Sequence, residues 1–445
     1  MNVARINCSH GDHLQYRDFI KNIRSVSKDI AIMFDTQGPE IRTGMVKDGT
    51  VLQTGSTFKL TNEKLIGDEK EVHITYHGLV DDVKNGDAIL IDSGFIELKV
   101  IGKTGKDIMC RVIAGGPLGN QKGVNHPAGL ARIPSFTRKD KEDLTFGLAH
   151  GIDFVAASFV KGAEDVNKIK VFLKNHPHVK VLGKIENATA VKNMDEIIRA
   201  ADGVMVARGD LGVEVPEEKV PIIQKEIIKK CNIAGKPVVT ATQMLESMVN
   251  KPRPTRAETT DVANAVLDGT DCIMLSEETA IGMFPAKAVE TMVKIANITE
   301  PVLELHRKFN TISRDDAVAN AICRIVEETD ITKVVVCTCS GHSARLISKY
   351  RPQADIIAVT PVEQVVRMMG IFWGVVPLVV RDHVHSTRDL VYHSIKAAYD
   401  KGLLNRKEHV VVTAGSPFNI RGRTNLIEIH HVGEILDRGP SECKK

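Results

Sequence analysis

From Gly151 onward the chain alternates short, mostly apolar runs with stretches of helical period, a pattern that predicts successive parallel βα units. Five such runs, Phe154 to Lys161, Val179 to Glu186, Gly203 to Asp210, Pro237 to Gln243 and Asp271 to Ser276, each close on a polar or charged residue. Two earlier runs, Asn2 to Asn7 and Asp29 to Asp35, do the same. Strands buried on both faces read as continuous apolar runs, and polar residues gathered at their C-terminal ends are what the mouth of a (β/α)8 barrel shows. A doubly wound open sheet is the rival, but it does not call for site residues after so many separate strands.

Between Thr43 and about Arg132 the character changes to alternating β patterns: Thr57 to Leu60, Glu71 to Ile74, Ala88 to Ile91 and Phe95 to Val100. Turn formers such as Asn85-Gly86-Asp87, Asp92-Ser93-Gly94 and Thr104-Gly105-Lys106 separate these runs, so a small all-β domain is expected as an insert in the barrel. Beyond about Arg314 a second βα series, with strands near Lys333 to Cys337, Asp355 to Val359, Val375 to Val380, His409 to Thr413 and Leu426 to Ile429, predicts a C-terminal α/β domain. The division expected is 1–43 and 133–305 for the barrel, 44–132 for the insert, 306–436 for the C-terminal domain and 437–445 for a solvated tail. Trp373 is expected in the C-terminal core.

At 445 residues the chain exceeds what one core supports, in keeping with several domains. With 43% hydrophobic and 26% charged residues it reads as a folded soluble enzyme, outside the disordered and fibrous classes. A formal net charge of +3, with no basic stripe interleaved with aromatics, excludes a nucleic-acid footprint. No apolar run reaches the roughly 18 residues that span a bilayer, and the N-terminus lacks a signal-peptide pattern, so no membrane association and a cytoplasmic location are expected. Eight cysteines lie singly, apart from Cys337-Thr338-Cys339, without zinc spacing, and read as reduced core residues. His383, His385, His430 and His431 have no partners at ligand spacing and read as surface residues.

The chemistry gathers at the predicted strand ends. Glu186 and Asp210 close consecutive strands, and a barrel would bring them together as hard oxygen ligands suited to Mg²⁺, which takes one or two carboxylates plus substrate oxygens. A pair of solvated loop acids is equally compatible with the spacing. Lys184 shares a strand face with Glu186, and a lysine facing a barrel interior is costly unless it meets an anion. The turn opened by Gly209 and Asp210 offers backbone N–H groups to an anion, a weak signal alone. Arg5-Ile6-Asn7-Cys8-Ser9-His10-Gly11 and Asp35-Thr36-Gln37-Gly38-Pro39-Glu40-Ile41-Arg42-Thr43-Gly44 crowd small oxygen donors among arginines, which fits either a monovalent-cation cage beside a phosphate or two capped loops.

Together these runs, with Lys122-Gly123-Val124-Asn125, Lys184-Ile185-Glu186-Asn187, Met205 to Gly212, Ala241 to Met248 and Lys251 to Glu258, closely resemble the pyruvate kinase family from residue 1 to about 435. The resemblance implies a cytoplasmic enzyme that transfers the phosphoryl group of phosphoenolpyruvate to ADP and then protonates the enolate. It implies that Glu186 and Asp210 hold Mg²⁺ or Mn²⁺, and that Asn7, Ser9, Asp35 and Thr36 hold K⁺, with Glu40 in keeping with K⁺ use. Lys184 and Arg5 would stabilise the transferred phosphoryl group and the enolate. Gly209, Asp210 and Thr242 would seat the substrate carboxylate, with Thr242 also linked to proton delivery. His10, Arg42 and Lys122 would contact the nucleotide, the last from an insert acting as a lid. A homotetramer is implied, with Arg256 near one interface.

The family's barrel has one more strand and helix ahead of the Asn2–Asn7 run, so seven barrel strands are expected here, the first βα unit being absent. Glu277 stands where many relatives have glycine. In the C-terminal domain Ser340-Gly341-His342-Ser343, with Gly415-Ser416, Arg421 and Arg423, reads as an effector phosphate site or as a structural turn. Two rivals remain: a phosphoenolpyruvate-handling carbon–carbon lyase, which would need neither lid nor nucleotide, and an inactive metabolite-binding relative, which would show no turnover.

Overall fold

The computed structural model describes residues 1–127, 133–303, 309, 311, 313–381, 386–415 and 424–440. Its largest sheet holds seven parallel strands that neighbour one another in chain order: β1 (Val3–Asn7), β2 (Ala31–Asp35), β3 (Phe154–Ala157), β4 (Lys180–Ile185), β5 (Gly203–Ala207), β6 (Val238–Ala241) and β7 (Cys272–Ile273). From β2 to β6 every residue except Lys180 is buried, as continuous apolar runs between an inner and an outer layer require. β1 instead alternates buried and half-buried positions. Among the described residues β1 and β7 each pair with one strand only, so the sheet has two open edges.

The strands end earlier than their apolar pattern suggests. The run to Asp210 leaves the sheet at Ala207, and Arg208–Glu214 is a short helix; the run to Lys161 stops at Ala157. Backbone conformation is the cause in two cases. Phe159 (φ 54°) and the pair Thr242 (φ 66°) and Gln243 (φ 54°) are left-handed and cannot continue a ladder.

Between β2 and β3 lies a six-stranded sheet in the order Val124–Asn125, Ala88–Ile91, Ile96–Thr104, Asp107–Ala114, Thr57–Thr61, Glu71–His73, antiparallel except for its last pair. Alternate residues such as Phe58, Leu60, Ile89, Ile91, Leu98, Val100 and Cys110 fill its core. The bridge Arg42↔Gly123 sets the outgoing crossing, at Arg42, beside the last strand of the insert, and Thr43↔Ile74 ties that crossing to the inserted sheet.

The C-terminal domain carries β8 (Lys333–Cys337), β9 (Asp355–Thr360), β10 (Val375–Val379), β11 (His409–Ala414) and β12 (Leu426–His431), in the order β10-β9-β8-β11-β12 with β12 antiparallel. It docks on the N-terminal end of the barrel through cations. Arg351, 3% exposed, donates to Asp271 (2.8 Å), the Asn232 side chain (3.1 Å) and the Gly269 carbonyl (3.0 Å). Arg367 pairs with Asp153 at 2.7 Å, and Arg345 donates to the Gly235 carbonyl.

Several expectations change. Trp373 packs against Val266 and Leu303 and under the Arg351 guanidinium, at the barrel junction rather than in the C-terminal core. Asp437 and Arg438 are exposed but close the helix Val432–Arg438; residues 441–445 lie outside the described residues. Cys8, Cys110, Cys231, Cys323 and Cys337 are buried free thiols, while Cys339 is exposed; Cys443 lies outside the described residues. His430 meets Glu428 at 2.7 Å, and His383 and His385 are outside the described residues.

Candidate active site

Strand register sets the site. Asn7 pairs with Asp35, Asp35 with Ala156, Ala157 with Gly183, Ile185 with Val206 and Ala207 with Ala241. Residues at or just beyond these ends, Asp35, Ser158, Glu186, Arg208 and Thr242, therefore rim one end of the barrel. Lys184 is their hub. Only 8% exposed, its ammonium lies 3.1 Å from Asp35 and 3.1 Å from Glu186, and donates to the Ser158 hydroxyl at 2.7 Å. Burial opposes its charge, but Asp35, Glu186 and Asp210 outweigh that and raise its pKa, so it stays an ammonium. Arg5 reaches the other oxygen of Asp35 at 2.6 Å. Between two cations, Asp35 is held below its ordinary range despite complete burial.

Glu186 is 1% exposed. Burial, with Asp210 adding to it, lifts its carboxyl to about 7 against the pull of Lys184. Its Oε1 accepts the Phe159 N–H at 2.5 Å, while Oε2 faces Lys184 but accepts no hydrogen bond. A buried carboxylate oxygen without a donor is what a bound cation completes. Asp210 opens onto the cleft, and the protein around it raises its carboxyl. Among the described residues no three His, Cys, Asp or Glu side chains converge as a metal group, so a divalent ion here would rest on Glu186 and Asp210 plus substrate or water oxygens.

The oxygen-rich turns are also formed. Asn7 Oδ1 accepts the Ser9 N–H (3.1 Å), Thr36 Oγ1 donates to the Ala156 carbonyl (3.2 Å), and the Ser158 hydroxyl donates to the Thr36 carbonyl (2.5 Å). Asn7 and Thr36 thus bring neutral oxygens to the strand ends beside Asp35, the donor types a monovalent cation takes.

A cavity of about 1060 Å³ lies between the inserted domain and one side of this rim: Arg42, Lys122, Gly209, Asp210 and Thr242 line it, whereas Arg5, Asp35, Lys184 and Glu186 do not. Arg42 is held by Glu40 (2.8 Å) and the Gln121 carbonyl (2.9 Å), and Lys122 pairs with Asp92 at 3.0 Å. Exposed His10, at the turn after β1, is not among the lining residues. The Gly209 N–H is not bare: it donates to the Thr242 hydroxyl at 2.9 Å, which in turn donates to the Ala241 carbonyl at 2.6 Å.

Matches to known proteins cover the same regions. Residues 1–289 match the family model described as pyruvate kinase, barrel domain, and residues 316–430 that described as pyruvate kinase, alpha/beta domain. The chain belongs to the pyruvate kinase family. It is 46% identical over 461 aligned positions to a pyruvate kinase of Geobacillus stearothermophilus, covering 100% of this chain and 78% of that protein. Against relatives of the same name from Bacillus licheniformis and Staphylococcus aureus (strain MRSA252), identity is 44% and 43%, over 100% and 99% of this chain and 78% and 77% of theirs. Family membership across the whole chain makes the protein a kinase of the pyruvate kinase type. No described helix is long and apolar enough to cross a membrane.

Sequence reading missed three residues here. Ser158 bridges Lys184, Asp35 and Thr36; Phe159 positions Glu186; Arg208 grips the Thr242 turn. Ser158 sits in a run read only as strand, and nothing in the sequence pattern marks a positive φ at Phe159. In the C-terminal domain the Gly341 N–H goes to Thr338 Oγ1 (3.0 Å), and Ser343 meets Thr424 at 2.5 Å, a self-satisfied turn; Ser416, Arg421 and Arg423 lie outside the described residues.

Proposed function

We propose that the cleft between barrel rim and lid transfers the phosphoryl group of phosphoenolpyruvate to ADP, giving pyruvate and ATP. The observation that carries this reading is Lys184, a buried ammonium fixed among Asp35, Glu186 and Asp210 at the rim. Phosphoryl transfer asks for positioned positive charge around a charge-rich transition state, and little covalent chemistry from the protein. Lys184 and Arg5 present that charge to the phosphoryl group, and Lys184 also faces the enolate left behind. Thr242, with Gly209 and Asp210, seats the substrate carboxylate, whose oxygen takes over the Gly209 N–H now given to the Thr242 hydroxyl. Thr242 then lies where a proton, carried by water, reaches the enolate carbon.

Glu186 and Asp210 would hold Mg²⁺ or Mn²⁺, and Asn7, Ser9, Asp35 and Thr36 would hold K⁺. A divalent ion there supplies Lewis-acid charge to the substrate oxygens. Arg42 and Lys122 at the base of the lid, with His10, take the nucleotide phosphates, and closure of the lid keeps water from the phosphoryl group.

The test is a lactate dehydrogenase-coupled assay. Pyruvate should appear only when phosphoenolpyruvate, ADP, Mg²⁺ and K⁺ are all present. Aldol cleavage without nucleotide would favour the lyase, and no turnover under any of these conditions the inactive relative. A homotetramer is also proposed, with sedimentation as its check.

A further inference from the structure

Thr242 and Gln243 are consecutive left-handed residues, at φ 66° and 54°, on the floor of the cleft. For side-chain-bearing residues, and for β-branched threonine above all, each such conformation costs on the order of 1–3 kcal/mol and persists only where the surroundings over-determine it. Arg208 supplies that constraint. Its Nη2 donates to the Thr242 carbonyl at 2.5 Å, and its Nε lies 3.2 Å from the same oxygen and 3.3 Å from the Ala241 carbonyl. Nη1 is anchored by Asp261 at 2.8 Å and by Gln224 at 3.4 Å, so every guanidinium nitrogen is engaged by protein. The far end of the same loop is pinned as well, the Leu245 N–H donating to buried Glu278 at 3.0 Å. Arg208 also directly precedes Gly209, whose N–H holds the Thr242 hydroxyl.

We infer that Arg208 is a positioning residue: by clamping the carbonyls of Ala241 and Thr242 it holds the strained turn that aims the Thr242 hydroxyl at the substrate. One residue thereby joins two parts of the site, since the helix it starts carries Asp210 and the turn it grips carries Thr242. This inference rests on the role proposed for Thr242 above. Lysine cannot replace the clamp. A single ammonium keeps the charge but cannot span two carbonyls, Asp261 and Gln224 in one plane.

The experiment is a double-mutant cycle of Arg208→Lys with Thr242→Ala, plus hydrogen exchange of the Gly209 amide in substrate-free protein, read by mass spectrometry with electron-transfer fragmentation. Arg208→Lys should lower kcat at least tenfold in the native background but less than twofold in the Thr242→Ala background. It should also speed Gly209 exchange at least tenfold. An equal fold-loss in both backgrounds, or unchanged Gly209 exchange, overturns the inference. Exchange needs no turnover, so an inactive native chain would remove the functional reading and leave the clamp to be judged on exchange alone. If Arg208→Lys does not fold, Asp261→Asn, which loosens the anchor of Arg208, should show the same non-additive pattern at smaller amplitude; an additive loss there overturns the inference.

Discussion

Replacing Lys184 by methionine withdraws one ammonium from two ion pairs at 3.1 Å and from the Ser158 hydroxyl. At an effective dielectric of about 20, each such pair carries roughly 5 kcal/mol of Coulomb attraction. Most of that is offset by the cost of taking the charges out of water, and breaking a buried pair typically costs about 3–5 kcal/mol net. Here the low end applies. Asp35 keeps Arg5 at 2.6 Å, so Glu186 alone loses its counter-charge. If the barrel unfolds as a unit of about 150–250 residues, a loss of about 3 kcal/mol lowers its melting temperature by roughly 6–12 °C. Turnover should fall by about 10²–10³, as when a preorganised charge-stabilising group is removed. The coupled assay reads the first-order loss in kcat, and thermal melts with and without Mg²⁺ read stability. Mg²⁺ should raise the melting temperature of Lys184→Met more than that of the native protein, because Glu186 then has no other cation. Turnover within tenfold of native, in a protein whose melting temperature has dropped as expected, would refute the catalytic role and leave Lys184 as a structural residue.

Glu186→Gln should raise the half-saturating Mg²⁺ concentration at least tenfold; an unchanged metal titration would remove Glu186 from the ligand set. Arg351→Met should cost roughly 3–5 kcal/mol by stranding buried Asp271, and should split calorimetric unfolding into separate barrel and C-terminal steps. A single transition at the native temperature would show that the two domains are held together elsewhere. For Glu258, burial opposes the charge, but hydrogen bonds from Ser247 and Thr255 win and hold its carboxyl below the ordinary 4.5. A depressed carboxyl stabilises the fold above that ordinary value, and the contribution is lost as pH falls through the folded one. The stability gap between native protein and Glu258→Gln, from urea midpoints, should therefore be constant near neutral pH and close in acid; a gap that widens in acid contradicts the sign.

The seven barrel strands were legible because strands buried on both faces leave continuous apolar runs, and their site because polar residues interrupt those runs only at one end. Glu186, Lys184 and Asp35 stand together as their strand positions imply. The same signal overran the strand ends, since hydrophobicity carries no record of φ: Val206-Ala207 and Arg208-Gly209 read as one run, yet the ladder stops between them. What Ser158, Phe159 and Arg208 do depends on partners from 26 to 123 residues away, such as Lys184 and Asp35 for Ser158, which no local period encodes. Trp373 was misplaced for a related reason. An isolated aromatic says that it is buried, not against which domain.

Arg42, at the outgoing crossing, and Lys122, ahead of the return, lie side by side at the base of the inserted domain. A swinging body displaces each of its points in proportion to that point's distance from the axis. The nine-residue strand Ile96–Thr104 runs away from the crossings for roughly 27 Å at about 3.3 Å per residue. A ten-degree swing therefore carries the turn at Gly105 through roughly 5 Å, while a backbone atom within 5 Å of the axis moves less than 1 Å, by the same lever arithmetic. Were the inserted domain to swing about this base, Arg42 and Lys122 near the axis would keep nearly constant positions over the barrel rim, so grip on an anionic ligand and travel of the lid would be mechanically uncoupled.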